Sequence, residues 1–182
     1  FLILVPFIGI EPAIKPAALQ TQSKSIGILA TKGTLNSKLF HSTMDKYAQD
    51  VHVVEVIGEG LVPLIENNKL ESVEMEQLLS TYVNRMLAAG IDYLVLGCSH
   101  YPYLIPHLRK LLPANITIID SGLAVARQTQ NVLEANNGLA TEGIGQHTLY
   151  TNGDQQILDS FVARFRESVL KTNPVKVKYL DF

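Results

Sequence analysis

Leu94-Val95-Leu96-Gly97-Cys98-Ser99-His100-Tyr101-Pro102 is the stretch on which the fold of this chain turns. An apolar run without polar alternation reads as a strand covered on both faces, which is the position of a strand in a helix-flanked parallel sheet. The run stops at a glycine, delivers a thiol, and meets a proline suited to the first turn of a helix. Strand, loop and helix start therefore follow one another within nine residues, and the thiol lies at the junction.

The same grammar repeats on either side. Strands are expected at 2–10, 25–30, 51–57, 93–97, 116–120, 147–151 and 175–180, the first, second and fourth being nearly continuous in Val, Ile and Leu. Helices are expected at 34–48, 72–89, 102–112, 121–136 and 154–170, with a short apolar helix or turn at 60–68. Within 72–89, Met75, Leu79, Tyr82 and Met86 recur at spacings of three and four, one stripe of an amphipathic helix. Asn136-Asn137-Gly138 supplies a left-handed stop after the fourth long helix. Short strands alternating with longer helices predict an α/β fold, three-layered, with a mostly parallel sheet and helices on both faces. The 138–145 stretch is the most loop-like and marks a candidate boundary between two units.

Composition narrows the function classes. The 182 residues carry 15 basic and 17 acidic side chains, a net charge of -2, and 47% apolar residues. That is enough for a sizeable core, and there is no basic surplus to attract a nucleic-acid backbone. No apolar run approaches the ~20 residues that span a bilayer, so neither nucleic acid nor membrane is expected as a partner. The opening segment lacks a basic stretch and a cleavage signal and reads as a buried strand that begins abruptly. One cysteine excludes an internal disulfide framework and suits a reducing compartment, the cytoplasm.

Chemistry in such sheets gathers where strands end and helices begin, because helix N-terminal amides favour anions there. At the first such end, a thiol before a helix start is favoured as thiolate, and His100 is placed to hydrogen-bond an anion or assist proton transfer. Taken singly, Cys98 reads as a small buried hydrophobe and His100 as a satisfied loop histidine; it is their combination with glycine, serine and proline at a strand end that favours chemistry. The second end, Ala30-Thr31-Lys32-Gly33-Thr34, surrounds a glycine with two hydroxyls. Thr34 reads as a helix N-cap, and Thr31 with the loop amides as a concavity for a carboxylate. The spacing is too short for a Walker loop. In Gly9-Ile10-Glu11-Pro12-Ala13-Ile14-Lys15-Pro16-Ala17 a strand is expected to run into a proline-started helix, with Glu11 stabilised by the helix N-terminus in a structural role. Glu66, at the end of the 60–68 segment, reads as a solvated helix end, or as the group that orients His100 if folding brings the two together.

These blocks resemble those of the glutamate racemases. Val95-Leu96-Gly97-Cys98-Ser99-His100-Tyr101-Pro102 is similar to the second catalytic-cysteine motif of that family, with serine at position 99 where threonine is usual. The 9–17 and 30–34 blocks, Leu61-Val62-Pro63-Leu64-Ile65-Glu66 and Tyr150-Thr151-Asn152-Gly153-Asp154 resemble other family blocks in the same order. The resemblance implies cofactor-independent, metal-free interconversion of L- and D-glutamate by two cysteines, with D-glutamate supplied to peptidoglycan. It implies Cys98 as one proton-transfer group, acting on the L-glutamate side, Ser99 and His100 as substrate contacts, and Thr31 and Thr34 near the substrate carboxylates. Glu66 is implied as the partner of His100. It further implies two pseudo-symmetric α/β domains facing each other across the site, with 1–120 forming one and 121–182 returning to the other.

The chain departs from that pattern at its most important point. The partner cysteine with its Asn-Thr neighbours, and the Asp-Ser-Gly and Pro-Tyr-Gly motifs, have no counterpart in the 182 residues. The abrupt first strand is accordingly read as the remainder of a chain without its N-terminal third. The isolated chain is expected to be inactive, and apolar surface normally covered by the other domain invites pairing with a second copy. Competing readings are an aspartate-racemase-like or one-cysteine enzyme, and a non-catalytic remnant or binding module.

Overall fold

The computed structural model describes residues 5–143, 145–168 and 174–181. Four parallel strands form its centre: β1 (Ser25–Ala30), β2 (His52–Ile57), β3 (Tyr93–Gly97) and β4 (Thr117–Ile119), in the order β2-β1-β3-β4. All six residues of β1 are buried, as are the last four of β3, whereas β2 lies at an edge and buries only Val56. The continuous apolar runs thus occupy the two central positions, where both faces need cover.

That cover comes from two helical layers. On one face, α1 (Ile14–Gln20) and α3 (Lys38–Tyr47) pack Ile14, Ala17 and Phe40 over Ile26, Ile28 and Ala30. On the other, α4 (Leu61–Glu66), α5 (Val73–Leu87) and α6 (Ile105–Leu111) pack over Leu29, Leu94 and Leu96. Successive β1 side chains enter opposite cores, as the two-residue period of a strand requires. The three-layer α/β expectation holds.

Helix α5 shows how local signals and packing agree. Ser72 accepts a hydrogen bond from the Met75 amide, Glu74 and Glu76 occupy the first turn, and Arg85 the last, all favourable for the helix dipole. Its buried stripe is Met75, Leu79, Val83 and Met86. Tyr82 lies at the stripe's margin, with its hydroxyl donating to the Glu59 carbonyl at 2.8 Å.

Four expectations need correction. Of the strand expected at 2–10, residues 1–4 lie outside the described residues. The remainder is not a strand, and Val5, Phe7 and Ile10 are exposed. Pro6 has no amide to donate to a ladder, and no described strand pairs with this run. The helix expected at 34–48 is two: α2 (Lys32–Leu35) and α3, separated where Ser37 caps α3 by accepting from the Phe40 amide at 3.1 Å. Thr34 is not an N-cap; Thr31, in extended conformation, caps α2 and accepts from the Thr34 amide. The helix expected at 102–112 begins as a 3-10 turn, Tyr101–Leu104, before α6, with Pro102 in its first turn.

Beyond β4, α7 (Gly122–Ala135) ends as expected. Asn137 adopts φ of +51°, and the Gly138 and Asn137 amides return to the Leu133 and Glu134 carbonyls, the paired bonds of a Schellman stop. β5 (His147–Thr151), α8 (Gln155–Ser168) and β6 (Val175–Tyr179) follow, the two strands pairing in parallel as a separate small sheet.

Candidate active site

Strand order places the site. From β1 the chain moves to β2 on one side, then returns across β1 to form β3 on the other. A crevice opens between the carboxyl ends of strands at such a reversal. Ala30 pairs with Gly97 at the ends of β1 and β3, so Thr31 and Cys98, the next residues, emerge side by side. Gly97 makes the close approach possible: a Cβ there would sit 2.7 Å from the Ala30 Cβ.

A cleft of about 580 Å³ occupies this crevice. Thr31, Thr34, Cys98, Ser99 and His100 line it, so five of the six residues expected from sequence to take part in the site meet at one cavity. The sixth, Glu66, lies behind it. Its Oε1 is 3.1 Å from His100 Nε2, with the two side chains 34% and 28% exposed. A carboxylate accepts, so in the neutral imidazole Nε2 carries the proton and Nδ1 is left as an acceptor. Ser99 Oγ lies 3.3 Å from Nδ1 and is the donor in that arrangement. Folding thus brings together the two side chains that the sequence linked only conditionally.

The hydroxyls on the β1 side are paired: Thr31 Oγ1 is 3.0 Å from Thr34 Oγ1 and accepts the Thr34 amide at 3.3 Å. Cys98 is half-buried at the mouth of the helix-bearing loop. Tyr101, fully buried, anchors that loop by donating its hydroxyl to the Gly58 carbonyl at 3.0 Å. Burial, with the neighbouring Cys98 adding to it, pushes the Tyr101 phenol well above its ordinary range, so it remains a neutral donor. Contrary to expectation, α1 starts at Ile14 with no acidic residue in its first turn; Glu11 instead accepts from the Thr43 hydroxyl at 3.2 Å, and its main-chain carbonyl accepts from Ser121. This carboxylate is tied to the scaffold while bordering the cleft.

Sequence reading passed over Asp120 and Ser121, which also line the cleft. Asp120 Oδ1 accepts the Gly122 amide at 2.6 Å at the start of α7. Their signal was available, since they follow the end of β4 and precede a helix as Cys98 follows β3. Val62 and Ile10 supply apolar wall. Among the described residues, no three His, Cys, Asp or Glu side chains are grouped to hold a metal ion, and no helix is long and apolar enough to cross a membrane.

A thiol, an imidazole held by a carboxylate, and hydroxyls at the ends of neighbouring strands are groups for moving a proton beside a bound anion. Residues 2–129 match the family model described as Asp/Glu/Hydantoin racemase. The chain belongs to this racemase family. It is 49% identical over 156 residues to a glutamate racemase of Pseudomonas syringae pv. tomato, covering 86% of this chain and 56% of that relative. A Pseudomonas putida glutamate racemase is 48% identical over 153 residues, covering 84% and 58%. The chain thus spans somewhat more than half the length of these curated relatives. Among solved structures, glutamate racemase RacE1 of Bacillus anthracis superposes with a TM-score of 0.80 at 24% identity, over 100% of this chain and 66% of that one. Escherichia coli glutamate racemase, solved with L-glutamate and the activator UDP-MurNAc-ala, superposes at 0.71 with 25% identity, over 94% and 64%. The family's α/β architecture and the one observed here agree.

Proposed function

We propose that this chain is the Cys98-bearing part of a glutamate racemase. The observation that carries the reading is the crevice between β1 and β3, which gathers Thr31, Thr34, Cys98, Ser99 and His100 with Glu66 bonded to the imidazole. Relatives nearly half identical to this chain are glutamate racemases, and glutamate is the ligand named for the Escherichia coli structure.

In this reading the Cys98 thiolate takes the α-proton of L-glutamate, becoming a thiol, and the electron pair remains on the α-carbon. A second acid, from outside the 182 residues, delivers a proton to the opposite face. The reverse direction exchanges the roles, and no cofactor or metal takes part. The α-proton is weakly acidic, so catalysis depends on donors fixed around the substrate carboxylates; Thr31, Thr34 and the loop amides serve there. Ser99 and His100 contact the substrate, with Glu66 holding His100. The product, D-glutamate, feeds peptidoglycan synthesis in the cytoplasm.

Residues 1–120 form one domain in this account, and 121–182 belong with the domain that carries the second cysteine. Phe7, Ile10 and Leu123, 82%, 61% and 64% exposed, are the kind of apolar surface such a domain would cover. The chain alone binds glutamate without racemising it. Titrating a 15N-labelled sample with D- and L-glutamate tests this: amides at 31–34 and 98–100 move and saturate, whereas shifts absent or confined elsewhere contradict it.

A further inference from the structure

Helix α8 lies some sixty residues after Cys98 and belongs to the β5-α8-β6 unit, yet two of its side chains reach the elements that carry the His100–Glu66 pair. The Phe161 ring meets His100 edge-to-face, with centroids 5.7 Å apart and planes at 72°, and stacks on Tyr103 at 5.0 Å and 26°. One turn along, Arg164 donates to the Asn68 side-chain oxygen and places its guanidinium 5.8 Å from the Tyr103 ring centre. Asn68 is not an arbitrary surface residue. It adopts φ of +58° and closes α4, its amide returning to the Ile65 carbonyl and that of Lys69 to Leu64. Glu66 is the last residue of α4.

One face of α8 therefore touches both sides of the pair, the imidazole through Phe161 and the end of the glutamate's helix through Arg164. An imidazole at a loop can rotate about two side-chain bonds, and its edge contacts with the partly exposed Glu66 carboxylate and the Ser99 hydroxyl leave the ring itself unpacked. An aromatic edge-to-face contact adds direction as well as area. We propose that Phe161 and Arg164 are positioning residues, holding His100 in one orientation and tautomer against Glu66 and so making the C-terminal unit part of the active-site architecture. The proposal deepens the racemase reading, in which His100 is a substrate contact.

The ring nitrogens of His100 report this without substrate or turnover, so the proposal and the racemase reading fail separately. Long-range 1H–15N correlation on the whole chain is expected to show one tautomer, Nε2 protonated and Nδ1 bare, and E66A, which removes the acceptor, is expected to abolish it. F161L, which keeps apolar volume but not the ring, is expected to give the averaged pattern of a free imidazole while the β1 and β3 amides stay in place. Phe161→Tyr, which keeps the ring, is expected to retain the native pattern. R164A, which leaves the ring contact itself untouched, carries the test if F161L does not fold, and is expected to lose the single tautomer too. An averaged pattern in the unsubstituted chain overturns the proposal, as does a native pattern persisting in F161L, or in R164A where F161L does not fold. Loss of the pattern in F161Y counts against the ring contact.

Discussion

Cys98 takes its place from its neighbours. Gly97 lets β3 close on Ala30, and Tyr101 fixes the far side of the loop by donating to the Gly58 carbonyl. Removing that hydroxyl leaves a carbonyl near the core without its partner, a loss of about 1–3 kcal/mol. Tyr101→Phe is therefore expected to lower the urea midpoint without changing the slope, and an unchanged midpoint would show that the bond contributes nothing. At this scale the sequence was informative about identity and less so about contact. The thiol, the imidazole and the Thr31 and Thr34 hydroxyls could be picked out because each follows an apolar strand. That Glu66 meets His100 depends on α4 and the β3 loop converging in space, which no spacing along the chain encodes.

Among the elements, the central strands and the α5 stripe were the most legible, because buried runs and three-to-four spacing leave few alternatives. Leu79 is fully buried in that stripe, and Leu79→Ala is expected to cost about 2–5 kcal/mol in chemical unfolding. The 34–48 segment was harder to read, since the cap at Ser37 divides a stretch whose composition is helical throughout. The 2–10 run misled because a short apolar stretch has no period to show whether anything pairs with it.

Asp92 ties the opposite end of the sheet. It accepts from the Thr21 hydroxyl at 2.6 Å and from the Gln22 and Ser23 amides at 2.6 and 2.9 Å. Burial pushes its carboxyl upward, but the hydrogen bonds from Thr21, Ser23 and Gln22 outweigh it and hold the group below the ordinary range. A carboxyl depressed by folding adds stability above its unfolded value, about 3.9, and loses it as pH falls through the folded value. D92N is thus expected to be less stable than the native chain at neutral pH, with the difference closing below about pH 4. A difference independent of pH would mean that these bonds do not depend on the charge.

For the whole molecule, the fold and the crevice follow from strand order, whereas the β5-α8-β6 unit could be read as elements but not as a separate sheet. Parallel pairing across a helix is a tertiary outcome that local pattern does not specify. The proposed account assigns one of two proton-transfer groups to this chain. Loss of one member of such a pair costs several orders of magnitude in rate. Enantiopure D-glutamate incubated with the chain is accordingly expected to keep its circular dichroism, and steady decay of that signal would contradict the assignment.

The central claim, that glutamate sits against Cys98, has a direct test because the chain contains one cysteine. Iodoacetamide labelling followed by intact-mass spectrometry reads that single thiol. Saturating L- or D-glutamate is expected to slow the labelling several-fold, while glutamine, which lacks the side-chain carboxylate, is expected to leave it nearly unchanged. Labelling that proceeds at one rate with glutamate, with glutamine and with neither would contradict the account.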